Sequence, residues 1–469
     1  MEHKRPQIII LIASALALIA VRKLTQPLER PKPPNVVLIV IDTLRRDHVG
    51  CYGYSRDTTP QLDRFAKESV RCDLMIAASS WTIPSLMTIF TGLPPSLHQA
   101  NFSSTFGAGI TTMAQSLSDS GYQTAGFASN PFAKSANGFA LGFDAYTGYE
   151  QMVAEISKDG AAAPPPWAFR SSDIVTRLAS QWLDERKERI DRKEPSANAP
   201  FFLFALYFDP HADYVPPPPY DTMFDPGYTG SAKGNIMSFP DQKLDEPGRK
   251  HVAALYDGEI RFTDEQVGAL IARIDALGLK NDTIVIVTSD HGEELWDHGR
   301  TLHGHTLYDE LLRVPFIARW PGHWTGGKVL PDQVSNVSIL ATVIDAAGGS
   351  IPRQCQAPSL NDFLAGNPLP PQTVFAETDY QGDVNLKCIR TPAQKIVVNI
   401  DKGTRKLFDL AADPGEHANL ADKPPAWAAG LASTYDDWVK SNDDIRATMS
   451  PARAIDRDEQ MLKDLGYSQ

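Results

Sequence analysis

Three segments of the sequence end an apolar run on a carboxylate. Residues 35–42 close on Asp42, residues 201–209 close on Asp209 with His211 two places on, and residues 283–290 close on Asp290 followed by His291. Carboxylate and imidazole in this pattern suit a divalent cation, or proton transfer on an anionic substrate. Residues 290–305 concentrate the same chemistry, with His291, His298, His303 and His305 beside Glu293, Glu294, Asp297 and Arg300. Within that stretch His303 and Asp297 read as surface loop residues. For any single Asp, capping a following helix or shaping a turn is the commoner use. Three strand ends of the same kind, two with a neighbouring His, point instead to a shared site. A further candidate is Thr82, which follows Ser79 and Ser80 and precedes Pro84 and an apolar stretch up to Gly92. Pro after small hydroxyl residues announces a helix start, and a helix N-terminus offers free N–H groups and a positive dipole end. Thr82 is therefore placed either to attack or bind an oxyanion, or simply to cap the helix, as Ser80 would.

The elements that must position these residues are legible as well. Runs that are apolar at every position are strands buried on both faces, as in a parallel sheet covered by helices. Residues 314–320 repeat the pattern, and helical periodicity fills 112–120 and 251–277. Strands alternating with helices predict an α/β fold with a large, mostly parallel central sheet. In such folds ligands bind at the carboxyl edge of the sheet, where Asp42, Asp209, His211, Asp290 and His291 are expected to meet. After about residue 375 short β-like pieces at 385–390, 395–399 and 406–409 predict a small antiparallel sheet with a helix. The expected division is an N-terminal segment and linker (1–34), a catalytic domain (35–374) and a small C-terminal subdomain with a tail (375–469). Pro-rich stretches at 164–166 and 216–219 predict loops, and the charged residues 184–193 a solvated helix face.

Composition narrows the function. The chain has 469 residues with 45 Lys and Arg against 57 Asp and Glu, a net charge of −12, and 42% hydrophobic residues. That is a globular composition, and its acidity argues against a general nucleic-acid binder, which needs a cationic face. An anionic substrate must be met by a local concentration of metal, Arg or His. Residues 8–21 form a largely apolar run flanked by Lys4, Arg5, Arg22 and Lys23, and Pro-rich sequence follows. This predicts export, by a cleaved signal into a periplasmic or extracellular space or by an uncleaved membrane anchor. Cys51, Cys72, Cys355 and Cys388 have no metal-finger spacing and are read either as two loop-closing pairs or as buried thiols.

The motifs together resemble the sulfatase family of the alkaline phosphatase superfamily. The resemblance rests on residues 35–42, 47–54, 59–63 and 82–92, on Asp209-Pro-His211, on 289–294, on 304–315 and on 407–420. It implies that Asp42, Asp290 and His291, with Thr82, hold one divalent ion (Ca, Mn, Mg or Zn). It implies further that Thr82 stands at the catalytic position, and that His211, His305 and His298 bind substrate or protonate the leaving group. The substrate would be an anionic ester, small or carried by a glycan or lipid. Three positions depart from the family pattern: Thr43 replaces a second metal-binding Asp, Leu86 an Arg, and Thr82 the Cys or Ser that becomes formylglycine. Oxidising the secondary alcohol of Thr yields a ketone, so the aldehyde route is closed at Thr82. An unmodified hydroxyl activated by a metal remains open to it. Arg45 is expected to replace part of the charge lost at Leu86. The expected activity is metal-dependent hydrolysis of sulfate or phosphate esters; a non-catalytic binder of such ligands and a phospho-head-group transferase are the alternatives.

Overall fold

The structure is a computed structural model that describes residues 32–157, 171–237, 244–382, 384–456 and 459. The expected export segment within residues 1–34 lies outside them except for its last three residues, as do the prolines at 164–166. Among the described residues no helix is long and apolar enough to cross a membrane.

An eight-stranded sheet forms the centre. In chain order its strands are β1 (Asn35–Ile41), β2 (Val70–Ile76), β3 (Gln123–Ala128), β4 (Ala145–Thr147), β5 (Phe201–Tyr207), β6 (Thr283–Thr288), β7 (Arg313–Arg319) and β8 (Val329–Ser335). Across the sheet they run β8-β2-β7-β6-β1-β5-β3-β4. Every residue of β1, β5 and β6 is buried, as the unbroken apolar runs require of strands covered on both faces. The four runs read from the sequence are neighbours in the sheet. The sheet is mostly parallel, as expected: β7 alone runs antiparallel to its neighbours β6 and β2, whereas the other pairings are parallel. An antiparallel neighbour needs no crossover helix, so the loop after β6 can return directly into β7 and carry residues 290–312 across the carboxyl edge of β6.

Register fixes what the edge displays. Val40 pairs with Thr288, so Asp42 and Asp290, each two residues further on, leave adjacent parallel strands side by side. Parallel strands lie only about 4.8 Å apart, which brings both side chains into one site. Asn35 pins the opposite end, its side chain donating to the Thr283 hydroxyl (3.2 Å) and accepting from the Phe201 amide (3.2 Å).

The helices that matter to the site are α1 (Thr82–Thr91), α2 (Met113–Asp119), α3 (Ser172–Asp191), α4 (Glu246–Ala276) and α5 (Ser338–Ala346). Thr112 and Gln115 close a reciprocal capping box on α2, and the charged residues 184–191 end α3 with Glu185, Lys187, Glu188 and Asp191 exposed but Arg186 buried. The C-terminal sheet has four strands, β9 (Val374–Thr378), β10 (Leu386–Arg390), β11 (Gln394–Asn399) and β12 (Thr404–Asp409), all antiparallel, with α6 (Trp427–Arg446) packed on β10 and β11. The first of these strands was not expected from the sequence.

A buried ionic knot joins this sheet to the central domain. Asp309 accepts from Arg390 (2.7 Å) and Lys395 (3.1 Å), and Lys395 reaches Glu416 at 2.9 Å. Lys395 is fully buried, and the two carboxylates hold its ammonium above the usual lysine range although burial alone would lower it. Removing the cation takes from the buried Glu416 carboxylate its ion-pair partner and leaves Asp309 with Arg390 alone. Lys395→Met is expected to destabilise the protein by about 3–5 kcal/mol, read from guanidinium unfolding, and an unchanged midpoint would contradict this account of the joint.

Candidate active site

Two strand-end carboxylates and one imidazole form the centre. Each of Asp42, Asp290 and His291 brings a ligand-type atom within 4.8 Å of the others, and all three side chains are fully buried. His291 Nε2 stands 3.6 Å from Asp42 Oδ1 and 3.5 Å from Asp290 Oδ2. Neither oxygen has a hydrogen-bond partner, although both are shut off from water. The other Asp42 oxygen accepts from Asn130 Nδ2 at 2.5 Å. Burial, then the charge of Asp290, holds Asp42 well above the usual carboxylate range, and burial likewise raises Asp290.

This donor set fits a divalent ion. His291 Nδ1 lies 2.8 Å from the Gly292 carbonyl, which can only accept; Nδ1 therefore carries the proton and Nε2 presents its lone pair to the carboxylates. Metal-binding histidines are oriented in the same way, by a hydrogen bond from the far ring nitrogen. Three lone-pair donors facing one another in a buried space are mutually repulsive unless a cation lies among them.

Thr82 completes the centre. Its Oγ1 is 3.3 Å from His291 Nε2, and the residue is 2% exposed. It is the first residue of α1, with Trp81 at the cap position making no side-chain cap bond, so neither Thr82 nor Ser80 caps the helix. The start of α1 is anchored from several sides. Ser85 Oγ donates to the Asp290 carbonyl (2.6 Å) and accepts from Asn336 (3.0 Å), which also receives the Ala78 amide (2.9 Å). The Gly304 amide donates to the Ser80 carbonyl at 2.9 Å. Gly304 has φ +86°, and a Cβ there would meet the Tyr380 ring at 2.3 Å.

The remaining candidates separate. His211 is 4% exposed, stacked on Phe208, and its ring stands 4.9 Å from His303, which is 4.5 Å from His291. Its Nδ1 donates to the Ala212 carbonyl (2.7 Å), and burial lowers it to about 3, so it is a neutral ring. His305 is partly buried, its ring 4.6 Å from Tyr380. His298 is turned elsewhere, with Nδ1 2.7 Å from Glu310 and Nε2 3.1 Å from the Gly415 carbonyl. Asp209 does not join the centre: it accepts from the backbone and hydroxyl of Ser171 and Ser172 at the start of α3, the structural use that an Asp after a strand commonly has.

Several residues were not found from the sequence. His303, read as a surface residue, is 1% exposed and lies between His291 and His211, with Glu293 accepting from its Nδ1 at 2.9 Å. Tyr214 donates to the other Glu293 oxygen at 2.9 Å, and burial pushes Glu293 up to about 7. The signal for His303 was its nearness to three other histidines in a short stretch. Asn130 had none beyond its place after β3. Arg45 does not compensate for Leu86, since its guanidinium is held by Asp47 (2.8 Å) and Asp297 (2.7 Å) while Leu86 is buried in the core. Thr43 has φ +52°, a left-handed conformation costly for a β-branched residue, directly after Asp42. All four cysteines are free thiols.

Comparison with known proteins places this geometry. A sulfatase family model matches residues 34–350, and an N-sulphoglucosamine sulphohydrolase C-terminal model matches residues 297–430. An arylsulfatase of Clostridium perfringens is 26% identical over 442 residues, covering 82% of this chain and 90% of its own length. The fold is shared with a solved enzyme captured with its substrate D-glucosamine-2-N,6-O-disulfate (TM-score 0.73, 20% identity, 88% of this chain and 99% of that one). It is shared also with the phosphonate monoester hydrolase of Agrobacterium radiobacter (TM-score 0.70, 23% identity, 88% and 96%). The chain belongs to the sulfatase family and is a sulfatase-like ester hydrolase, with an Asp/His group of the kind that holds the family's divalent metal.

Proposed function

We propose that this protein is a divalent-metal-dependent hydrolase of sulfate or phosphate esters whose nucleophile is the unmodified hydroxyl of Thr82. The observation that carries the reading is the convergence of Thr82 Oγ1, His291 Nε2 and the two unpartnered oxygens of Asp42 and Asp290 in one buried space. Asp42, Asp290 and His291 would hold the ion, with Thr82 beside them. When bound, a Ca, Mn, Mg or Zn ion supplies positive charge that lowers the hydroxyl pKa and offsets the charge of the ester.

The chain's own residues account for the rest. Thr82, the first residue of α1, is held at the end of a helix whose first amides face outward and favour an anion. Thr82 Oγ1, its proton passed to solvent, forms a bond to sulfur or phosphorus as the bond to the ester oxygen breaks, and that oxygen takes a proton from His305. Water then attacks the same sulfur or phosphorus, giving a proton back to His305 as the bond to Thr82 Oγ1 breaks; Thr82 Oγ1 takes up a proton from solvent, which restores the hydroxyl and releases the oxyanion. His211 is neutral and its Nδ1–H is engaged, so it serves as an acceptor rather than an acid. His298, engaged by Glu310 and Gly415, has no part in this step.

The substrate class is an anionic ester carried by a sugar or lipid. Relatives named for glycan sulfates, such as the N-acetylglucosamine-6-O-sulfatase of Bacteroides thetaiotaomicron, support sulfate esters, and the unoxidised Thr82 supports phosphate esters and diesters. The apolar run at 8–21 with its basic flanks supports an exported enzyme, periplasmic, extracellular or membrane-anchored.

Two outcomes follow. Chelation should lower the melting temperature, and returning a divalent ion should raise it, by about 4 kcal/mol of stability at a thousandfold excess over Kd. Asp290→Asn should abolish that shift, and its metal-free form should melt above metal-free wild type because the facing carboxylates no longer repel. A calorimetric scan showing the same ion-induced shift in Asp290→Asn would contradict the site. On a panel of sulfate monoesters, phosphate monoesters and diesters, Thr82→Ala should lose activity on the order of 10³-fold or more, whereas Thr82→Ser keeps a substantial part. Wild-type rates from Thr82→Ala on every substrate would remove Thr82 from the reaction.

A further inference from the structure

We infer that the cleft between the loop of His305 and the hairpin joining β11 to β12 receives the leaving-group side of the substrate and binds a second anionic group there. The enzyme then prefers oligosaccharides that carry more than one sulfate or phosphate. The inference rests on the proposed role of His305: the oxygen that takes its proton belongs to the leaving group, and His305 lines this cleft of about 420 Å³. The segment that carries His305 also touches the catalytic centre. The Gly304 amide donates to the Ser80 carbonyl at 2.9 Å, two residues before Thr82, and the His303 ring stands 4.5 Å from that of His291.

Charge sets the chemistry of the ligand. Arg300, Lys402, Arg405 and Lys406 line the cleft, and Asp401 is the only acidic residue lining it among the described ones. This surplus stands out in a chain whose net charge is −12. A cleft lined by one sign of charge focuses its field and draws in a ligand of the opposite sign. Arg300 and Lys402 are exposed, and neither head group makes an ion pair or hydrogen bond among the described residues. Arg405 has one partner, the exposed Asp436 of α6 at 3.6 Å, and an exposed pair of that kind holds it weakly. Lys406 donates to the Tyr308 hydroxyl (2.8 Å), which leaves the hydroxyl proton for a further acceptor. Leu386 and Val397 line the same cleft and offer apolar surface to the C–H face of a sugar ring. The cations come from two elements, the loop before His305 and the β11–β12 hairpin, so they flank a cleft rather than form one flat face. That favours a chain entering it over a membrane lying across it.

The test is binding and competition on the full chain with a divalent ion supplied. A heparin-derived tetrasaccharide should bind wild type with an affinity that falls as salt rises. Lys402→Gln combined with Arg405→Gln should weaken that binding on the order of tenfold, and adding Arg300→Gln should weaken it further. Lys402→Arg combined with Arg405→Lys should keep it. For a p-nitrophenyl ester, which carries a single anionic group, kcat and KM should stay at wild-type values in all of these variants, and the tetrasaccharide should compete with that ester in wild type. Equal affinity in wild type and the triple variant would overturn the inference, as would binding that does not compete with the ester. Binding of phosphatidylglycerol vesicles without binding of the tetrasaccharide would overturn it in favour of a membrane face. If no ester is hydrolysed with any ion, the proposed function fails, while the affinity series still decides the cleft.

Discussion

The facing of two buried carboxylates, Asp42 and Asp290, is the constraint around which the rest of the molecule is arranged. It is set by backbone register: Val40 opposite Thr288 sends both side chains off the same edge of adjacent parallel strands. Left alone the pair is repulsive, as the upward displacement of Asp42 by burial and by Asp290 records. Asn130 satisfies one Asp42 oxygen, and the remaining lone pairs, with that of His291, define the space that a cation fits. Helix α1 delivers Thr82 to the same space, and Ser85 locks that delivery by donating to the backbone of Asp290 itself. The proposed nucleophile and the proposed metal ligands are thereby held by one short network rather than by separate supports.

Departures from the family pattern have local physical consequences. Leu86 places an apolar side chain in the core where the sulfatase pattern has Arg, and Arg45 does not take its place, being committed to Asp47 and Asp297. Thr43, in place of a second Asp, keeps the chain in a left-handed turn and leaves the ligand set with two carboxylates instead of three. On the proposed reading, positive charge over the site comes from the ion and from the end of α1. A hydroxyl that needs no oxidation is consistent with that economy of parts.

How much of this was legible from sequence depends on the range of the interaction. Strands whose every residue is apolar announce burial on both faces, so 35–41, 201–207 and 283–288 were readable, and with them Asp42 and Asp290. The direction of β7 was not, because its run looks the same in either sense; the return of residues 289–312 across the carboxyl edge of β6 makes it antiparallel. Asp209 and Asp290 are alike in sequence, each closing an apolar run with a His nearby, yet one caps α3 and the other faces Asp42. That difference lies in which element packs beside each strand end. His303 was misplaced for the same reason: a histidine in a polar loop is buried here only because the loop folds back over the sheet edge. The strand Val374–Thr378 has too few residues and too mixed a pattern to be distinguished from a loop until β10 pairs with it.

The central claim is that Thr82 reacts as an unmodified hydroxyl. The most direct measurement is mass spectrometry of the peptide containing Thr82, taken from native enzyme and from enzyme acid-quenched during turnover of its best ester. The account predicts the mass of ordinary threonine in the native peptide, and after quenching a fraction heavier by one sulfuryl or phosphoryl group located on Thr82. An oxidised residue in the native peptide, or quenched enzyme with the transferred group on another side chain, would contradict it.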